Sequence, residues 1–456
     1  MNSKRWILYP AVFLLVFLTS TAFAEPAPGS MTVDQAVDYA LRNNLTVQTA
    51  GLEAALRKRL KDYSFNVLFP TLSVSTTASR LNEGPNPTLV AVSPPPATAG
   101  QYFTPDRENL GMNLKLQEVF APAIVGQLRK IDIDYQNAVI AWEQAQRSLV
   151  ATVKKFFYQL LVQKELIDLT QTRLKNSEER LRQSKVSYQL GQQPELTYIQ
   201  NLVDVEGLKP QLQDLITTHA NNLVLFQGVL GLEYREGLAL VGSLDEETTT
   251  PPAPRQLAPF RLDLMAQNGS VAGLENALGA HDLSLLPNLI FQYSADPNIN
   301  GPRNKNIFDP GVWRPSNGAL SLTLSISLEG LIPGSGFWLT RAEIADRLAL
   351  ARENASQTQR NGLHDLENRG RSIQASLMKL ENLKNSELAN KRALELTTAG
   401  YQLGTGRLQD LQTAELNYQS AQIQLLSERF NLKSQIFDLE AQLDSDLPRE
   451  DLPTKH

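Results

Sequence analysis

Two stretches of this chain place apolar residues at alternating intervals of three and four for longer than a compact domain can use. In the C-terminal stretch Leu408, Leu411, Glu415, Tyr418, Gln422, Leu425, Arg429, Leu432, Ile436, Leu439 and Leu443 keep the spacing, and eight of the eleven are apolar. Leu128, Ile131, Tyr135, Ala138, Trp142, Ala145 and Leu149 repeat the pattern earlier in the chain. This is the period of helices that pack side by side in coiled-coil fashion. The faces between carry Gln, Asn, Lys, Glu, Ser and Ala, which suit water. Residues 123–190, read as one helix, would reach roughly 100 Å at about 1.5 Å per residue. Residues 337–403 would reach nearly as far, and helices return over about 194–230 and 407–443. Pro210 is expected to kink the first returning helix or split it in two.

The chain reads as a duplication. Gly51-Leu52-Glu53-Ala54-Ala55-Leu56 returns as Gly273-Leu274-Glu275-Asn276-Ala277-Leu278. Leu68-Phe69-Pro70-Thr71-Leu72 returns as Leu285-Leu286-Pro287-Asn288-Leu289, and Tyr188-Gln189-Leu190-Gly191 as Tyr401-Gln402-Leu403-Gly404. The first copy spans 25–247, a Thr/Pro-rich linker 248–260, the second copy 261–447, and a tail 448–456. Each copy has one plan: a modest helix (33 to about 62, then about 264–282), two strands around a long loop, a very long helix and a returning one. Thr32-Val33-Asp34-Gln35 opens the first helix as a capping box, with Gln at the third helical position.

Strands are expected at about 70–80, 109–118, 287–295 and 319–328. They alternate with period two: Leu110, Met112, Leu114 and Leu116 oppose Asn109, Gly111, Asn113, Lys115 and Gln117, and Leu320, Leu322, Leu324, Ile326 and Leu328 oppose Ser321, Thr323, Ser325 and Ser327. Leu289, Phe291 and Tyr293 oppose Ile290, Gln292 and Ser294 less cleanly. One face is apolar and the other wet. A half-buried soluble sheet gives the same pattern. The loops at 81–106 and 296–317, rich in Pro, Asn and Gly, favour an outer-membrane setting, where long loops lie on one side of the hairpins.

Targeting and composition narrow the function. Lys4 and Arg5 precede an apolar run over 7–18, and Ala22-Phe23-Ala24 ends in a small-residue cleavage site. Residues 1–24 read as a secretory signal peptide, the alternative being a membrane anchor. No other stretch is apolar enough for a membrane helix, which leaves a soluble exported protein or an inserted β-barrel. Lys plus Arg number 43 against 48 Asp plus Glu, a net charge of −5, so nucleic acid is a poor partner. With no Cys, thiolate chemistry, disulfides and Cys-held metals are excluded. The four His (His219, His281, His364 and His456) are not in metal-type spacing, and no cofactor is implied. No enzyme motif occurs. Gly334-Ser335-Gly336 reads as a loop and His364, near Asp365 and Glu367, as a solvated helix face.

Four strands cannot close a transmembrane barrel, since single-chain barrels begin at about 8, and lipid tolerates no open sheet edge. Strands in a membrane would require two or three chains to share one barrel, with Leu faces on lipid, Ser/Thr faces on the lumen and the helices continuing as a tube.

Here the residues resemble a known family, the TolC-like outer-membrane efflux proteins. The resembling pieces are Met31-Thr32-Val33-Asp34-Gln35-Ala36-Val37-Asp38-Tyr39-Ala40-Leu41-Arg42-Asn43-Asn44, the Pro-started strands, and Ala399-Gly400-Tyr401-Gln402-Leu403-Gly404 followed by Leu408-Gln409-Asp410-Leu411. They fall in order over residues 31–443. The resemblance implies a mainly α protein with a small transmembrane β part: a homotrimer with a 12-strand β-barrel in outer-membrane lipid, continued by a 12-helix α-barrel across the periplasm. It implies passive exit for drugs, small molecules or secreted proteins, served by a periplasmic adaptor and, indirectly, an inner-membrane transporter.

The same resemblance places a periplasmic gate at Asp410, the ring-forming acid, and Tyr401, a latching residue. Arg407 lies one residue from a latching basic position. Thr413 stands where the family's best-known member has a second acid, which speaks against a double ring. Carboxylates focused in a narrow mouth would favour cations and raise one another's pKa; the local alternative is a solvated helix residue. The turns at Gly191-Gln192 and Gly404-Thr405 would end the tube, and in the family such tips dock the adaptor. The rival reading is an exported coiled-coil scaffold or adaptor without a pore.

Overall fold

The computed structural model describes residues 30–80, 88–90, 101–103, 108–235, 237–244, 261–300, 302, 305–314 and 318–443. The expected signal peptide, linker and tail, and parts of both long strand loops, lie outside these residues. The described elements follow one order twice. The first pass is β1 (Ser30–Met31), α1 (Val33–Asn43), α2 (Leu45–Asp62), β2 (Thr71–Arg80), β3 (Thr88–Val90), β4 (Gln101–Phe103), β5 (Glu108–Phe120), α3 (Ile124–Gln189), α4 (Glu195–Leu230) and β6 (Ala239–Leu240). The second is α5 (Leu262–Leu283), β7 (Asn288–Ala295), β8 (Asn298–Asn300), β9 (Ala319–Ser325), α6 (Gly336–Gln402) and α7 (Leu408–Glu440).

Local chemistry sets the ends of these elements. Thr32 caps α1: its backbone N–H donates to Gln35 Oε1 (3.0 Å) and its hydroxyl accepts from the Gln35 backbone N–H (3.4 Å), a complete capping box. The single helix expected over 33–62 is two helices. Asn44 is extended (φ −70°, ψ 124°); its side chain accepts from the Thr46 N–H and donates to the Val229 carbonyl, so side-chain hydrogen bonding outcompetes helix continuation there. Of the kink or split expected at Pro210, the split does not occur, for α4 continues from 195 to 230. Pro210 is exposed while Val205 and Leu208 are buried, so packing holds the helix across the one missing N–H. The last strand stops at Ser325, short of the expected 328, where a 3₁₀ turn at Glu329–Leu331 begins. The Gly334 loop is tied by Ser335 Oγ donating to the Glu329 carbonyl (2.7 Å).

The four main strands form one antiparallel sheet in the order β2-β5-β7-β9, with β8 continuing along β5. Register puts Leu72 opposite Leu116, Val74 opposite Leu114, Leu116 opposite Tyr293, Phe291 opposite Leu322 and Leu289 opposite Leu324 on one face. Ser73 faces Lys115, Ser75 faces Asn113 and Gln292 faces Ser321 on the other. The separate alternations thus add into one amphipathic sheet. Its apolar face lies open: Leu72 is 67 % and Leu322 68 % exposed. Among the described residues, the outer strands β2 and β9 are free edges of this sheet.

Beyond the sheet, α3 (66 residues) and α6 (67 residues) extend about 100 Å each at 1.5 Å per residue. None of the eleven positions spaced three and four apart from Leu408 to Leu443 is exposed. The thickest core lies near the middle of α3, where Phe157, Leu160 and Val153 meet Met31, Ala36, Ala40, Phe226 and Leu230. The Phe157 and Phe226 rings are 6.3 Å apart, and Tyr158 stacks on Phe437 at 5.7 Å. Parallel pairing of Met31 with Leu240 closes the first repeat beside this core. A bridge from Arg261 to Leu443 closes the second. No helix among the described residues is long and apolar enough to cross a membrane.

Candidate functional site

The far ends of the helical hairpins are built by two copies of one device. At the first, Gln192 N–H bonds the Ser187 carbonyl (2.8 Å) and Gly191 N–H the Tyr188 carbonyl (2.9 Å). At the second, Thr405 N–H bonds the Gly400 carbonyl and Gly404 N–H the Tyr401 carbonyl, both at 3.0 Å. Each is a Schellman turn, and Gly191 (φ +70°) and Gly404 (φ +75°) occupy the left-handed position it requires. The repeated Tyr-Gln-Leu-Gly is therefore a helix-stop signal. Beside the first turn Tyr188 stacks flat on Tyr198 at 6.0 Å. Beside the second, Thr405 Oγ1 donates to the Gly400 carbonyl (3.0 Å). Gln192 and Thr405 are exposed.

The three expected gate residues fall within this second tip. Tyr401 is half-buried in the last turn of α6, Arg407 is the exposed residue preceding α7, and Asp410 is exposed in the first turn of α7. An acid there complements the positive end of the helix dipole. Among the described residues neither Asp410 nor Arg407 forms an ion pair. The tip alone holds these three close in sequence and ties none of them to the first hairpin.

Besides the pairs Lys154–Glu440 and Lys155–Asp438 near the central core, a tie between the hairpins lies nearer the tips, in residues that sequence reasoning did not select. From α3, Arg180 Nη1 reaches Glu415 Oε1 of α7 at 2.5 Å, while its Nη2 lies 3.8 Å from Asp204 of α4. Ser177 accepts from Arg180 (2.8 Å) and donates to Asp204 (2.7 Å). Arg173 spans Asp204 (3.3 Å) and the Gln419 side chain of α7 (2.8 Å). The Arg180, Glu415 and Asp204 side chains are only 13 %, 20 % and 23 % exposed. Burial pushes the Glu415 carboxyl above its ordinary value, against the pull of Arg180. Arg173, Glu415, Gln419, Tyr418 and Leu394 line a cleft between α3, α6 and α7. A signal was present in the sequence: Glu415 is one of three polar breaks in the apolar spacing of α7.

Among the described residues, the histidines His219, His281 and His364 take no part in this site. His281 stacks on Phe337 at 4.4 Å, His364 is exposed, and burial followed by Lys164 lowers the pKa of His219. Among the described residues no group of three metal-ligating side chains occurs.

This architecture has solved counterparts. The Campylobacter jejuni CmeC outer membrane channel superimposes with a TM-score of 0.76 at 15% identity, covering 91% of this chain and 86% of that one. The chain has the TolC-like outer-membrane channel fold. The same fold is shared by the Neisseria gonorrhoeae MtrE outer membrane channel, solved in its open state (TM-score 0.70, 18% identity, 90% and 88% covered). It is shared too by the Vibrio cholerae outer membrane protein VceC (0.69, 14% identity, 90% and 94% covered). No family model and no curated relative matches the chain.

Proposed function

We propose that the chain is one subunit of a homotrimeric outer-membrane channel-tunnel giving passive exit to drugs, small molecules or secreted proteins. They would be handed over by an inner-membrane transporter through a periplasmic adaptor. One observation carries the reading: an open antiparallel sheet with a bare apolar face and two free edges continues into helices of about 100 Å. The unpaired edges cannot remain as they are in lipid, and the bare leucines cannot remain as they are in water. Edge pairing of β2 with a sister chain's β9 satisfies both, and three chains give twelve strands and twelve helical columns. The leucine faces then meet lipid and the Ser/Thr faces line the lumen. An exported chain, cleaved after Ala24, reaches the outer membrane of a Gram-negative-type cell this way.

Within this reading the Gly191-Gln192 and Gly404-Thr405 turns end the tunnel and dock the adaptor, and three copies of Asp410 ring the mouth. Tyr401 and Arg407 lie beside that ring. The Arg180–Glu415–Asp204 cluster latches α7 to the α3–α4 hairpin and must part when the mouth widens. That a channel of this fold is known in an open state supports a gated mouth.

The test is assembly and conductance. Full-length protein extracted in detergent should run on unboiled SDS gels as a heat-sensitive trimer and give stepwise currents in planar bilayers. A mature chain that stays monomeric and water-soluble without detergent, or a trimer without conductance, refutes the reading; the latter is the outcome for a non-pore scaffold.

A further inference from the structure

Two helix faces below the sheet lie bare among the described residues. On α2, Val47 and Ala54 are buried and Lys61 reaches Asp132 of α3 (2.6 Å), so that side packs on α3. At about 3.6 residues per turn, Leu45, Leu52 and Leu56 fall on the opposite side and Leu60 adjoins them. All four are exposed, Leu45 by 72 % and Leu52 by 71 %. Such spacing is that of a packing stripe, not of a face made for water. On α6, Phe337 and Leu348 are buried, and Arg341 and Arg352 bond Asp282 (2.8 Å) and Glu275 (2.7 Å) of α5. Leu339 and Leu350 lie opposite, 72 % and 64 % exposed, with Asp346 between them. Each face also carries an uncompensated charge. Arg59, in the last turn of α2 at the margin of its stripe, and Asp346 are both exposed, and neither forms an ion pair among the described residues.

These faces continue the free sheet edges: α2 leads into β2, and α6 follows β9. The edges alone are poor guides to register. Leu72 and Val74 alternate with Ser73 and Ser75 on β2, and Leu320, Leu322 and Leu324 with Ser321 and Thr323 on β9. A slip of two residues between two such strands keeps every apolar side chain on the same face, so alternation does not choose among registers. The same slip moves the flanking helices by about 7 Å, more than one helical turn of about 5.4 Å, and parts any charge pair between them. We propose that the α2 leucine stripe docks on the bare α6 face of a second copy of this chain, and that Arg59 pairs there with Asp346 of the sister subunit to fix the register in which β2 joins β9. The inference rests on the channel reading above and names what aligns its subunits. Lipid is not the cover for the whole stripe: it runs down to Leu45, next to Asn44, whose side chain donates to the Val229 carbonyl beside the central core. A sister α6 supplies both the leucines and the opposite charge.

The experiment uses full-length protein extracted in detergent. Arg59→Asp and Asp346→Arg should each lose the trimer band on unboiled gels at a temperature that wild type survives, and the double charge swap should restore it. Lys58→Asp, at a neighbouring exposed cation outside the stripe, should leave the band unchanged. Because the chain has no Cys, Leu52→Cys, Leu56→Cys and Leu60→Cys can each be combined with Leu339→Cys or Leu350→Cys. Treated with a short bifunctional maleimide, these pairs should give covalent trimers that persist on boiled gels, while the single-cysteine variants should not. Conducting trimers in which none of the cysteine pairs crosslinks between subunits overturn the seam and leave the channel standing. So do charge reversals as heat-resistant as wild type, or a double swap no better than its singles. Wild type that neither trimerises nor conducts overturns the channel reading and the seam with it.

Discussion

Removing Arg180 is the sharpest perturbation of the latch. Arg180→Ala deletes the 2.5 Å contact to Glu415, the hydrogen bond to Ser177 and the approach to Asp204. Two acids are then left in the seam with Arg173 alone. Breaking a fully buried ion pair by removing one partner costs about 3–5 kcal/mol. These side chains keep 13–23 % exposure, so solvent screening discounts the figure to about 2 kcal/mol. At about 1.4 kcal/mol per decade that shifts the docked-to-parted balance roughly 30-fold per subunit. The assay is single-channel conductance of reconstituted protein, read beside Arg182→Ala as a control. Arg182 lies two residues away and its pair with Glu179 is 71 % and 50 % exposed, so its loss should leave the current unchanged. Arg180→Ala should lengthen open dwell times and raise mean conductance. Equal currents from wild type and Arg180→Ala, in properly assembled trimers, would refute the claim that this cluster holds the hairpins together.

Further outcomes follow from other parts of the molecule. Phe157→Ala, at a fully buried ring beside Phe226, should cost about 3–5 kcal/mol and lower the melting temperature; an unchanged melt would contradict the central core. Leu322→Arg, on the bare apolar face, should block membrane insertion at a cost of about 2–4 kcal/mol near the bilayer midplane, whereas Ser321→Arg on the polar face should insert; equal insertion in a membrane-fractionation assay would reverse the facing of the sheet. Burial opposes ionisation of Glu428, but hydrogen bonds from Lys379, Ser376 and Asn431 outweigh it and lower its pKa. Its contribution to stability is therefore present above the ordinary carboxylate value and lost as pH falls through the lower folded value. Glu428→Gln should flatten the acid limb of the unfolding curve, and an identical limb would rule this contribution out.

Much of the architecture was legible because it is written in local periods. Spacings of three and four marked stretches that lie within α3 and at α7, since one turn of helix sees only its own neighbours. Alternation located the strands, and the register then summed their apolar sides onto one face. Tyr-Gln-Leu-Gly marked both tips because a Schellman turn needs glycine at one position whatever surrounds it. Two local signals misled. Asn44 looked like an ordinary helix residue until Val229, 185 positions away, supplied a carbonyl for its side chain. Pro210 looked like a break until packing of Val205 and Leu208 held α4 through it.

What the sequence determined by itself was the kind of object: a duplicated chain of long helices and two-faced strands, too extended for one compact core. What only the tertiary structure decided was which residues of the two hairpins meet. Arg173 and Arg180 are separated from Glu415 and Gln419 by some 235–246 positions, and no period along a helix encodes a contact between helices of different repeats. That pairing depends on the axial stagger of α7 against α3. The stagger is fixed by the central core, where Tyr158 stacks on Phe437, far along both helices from the tips.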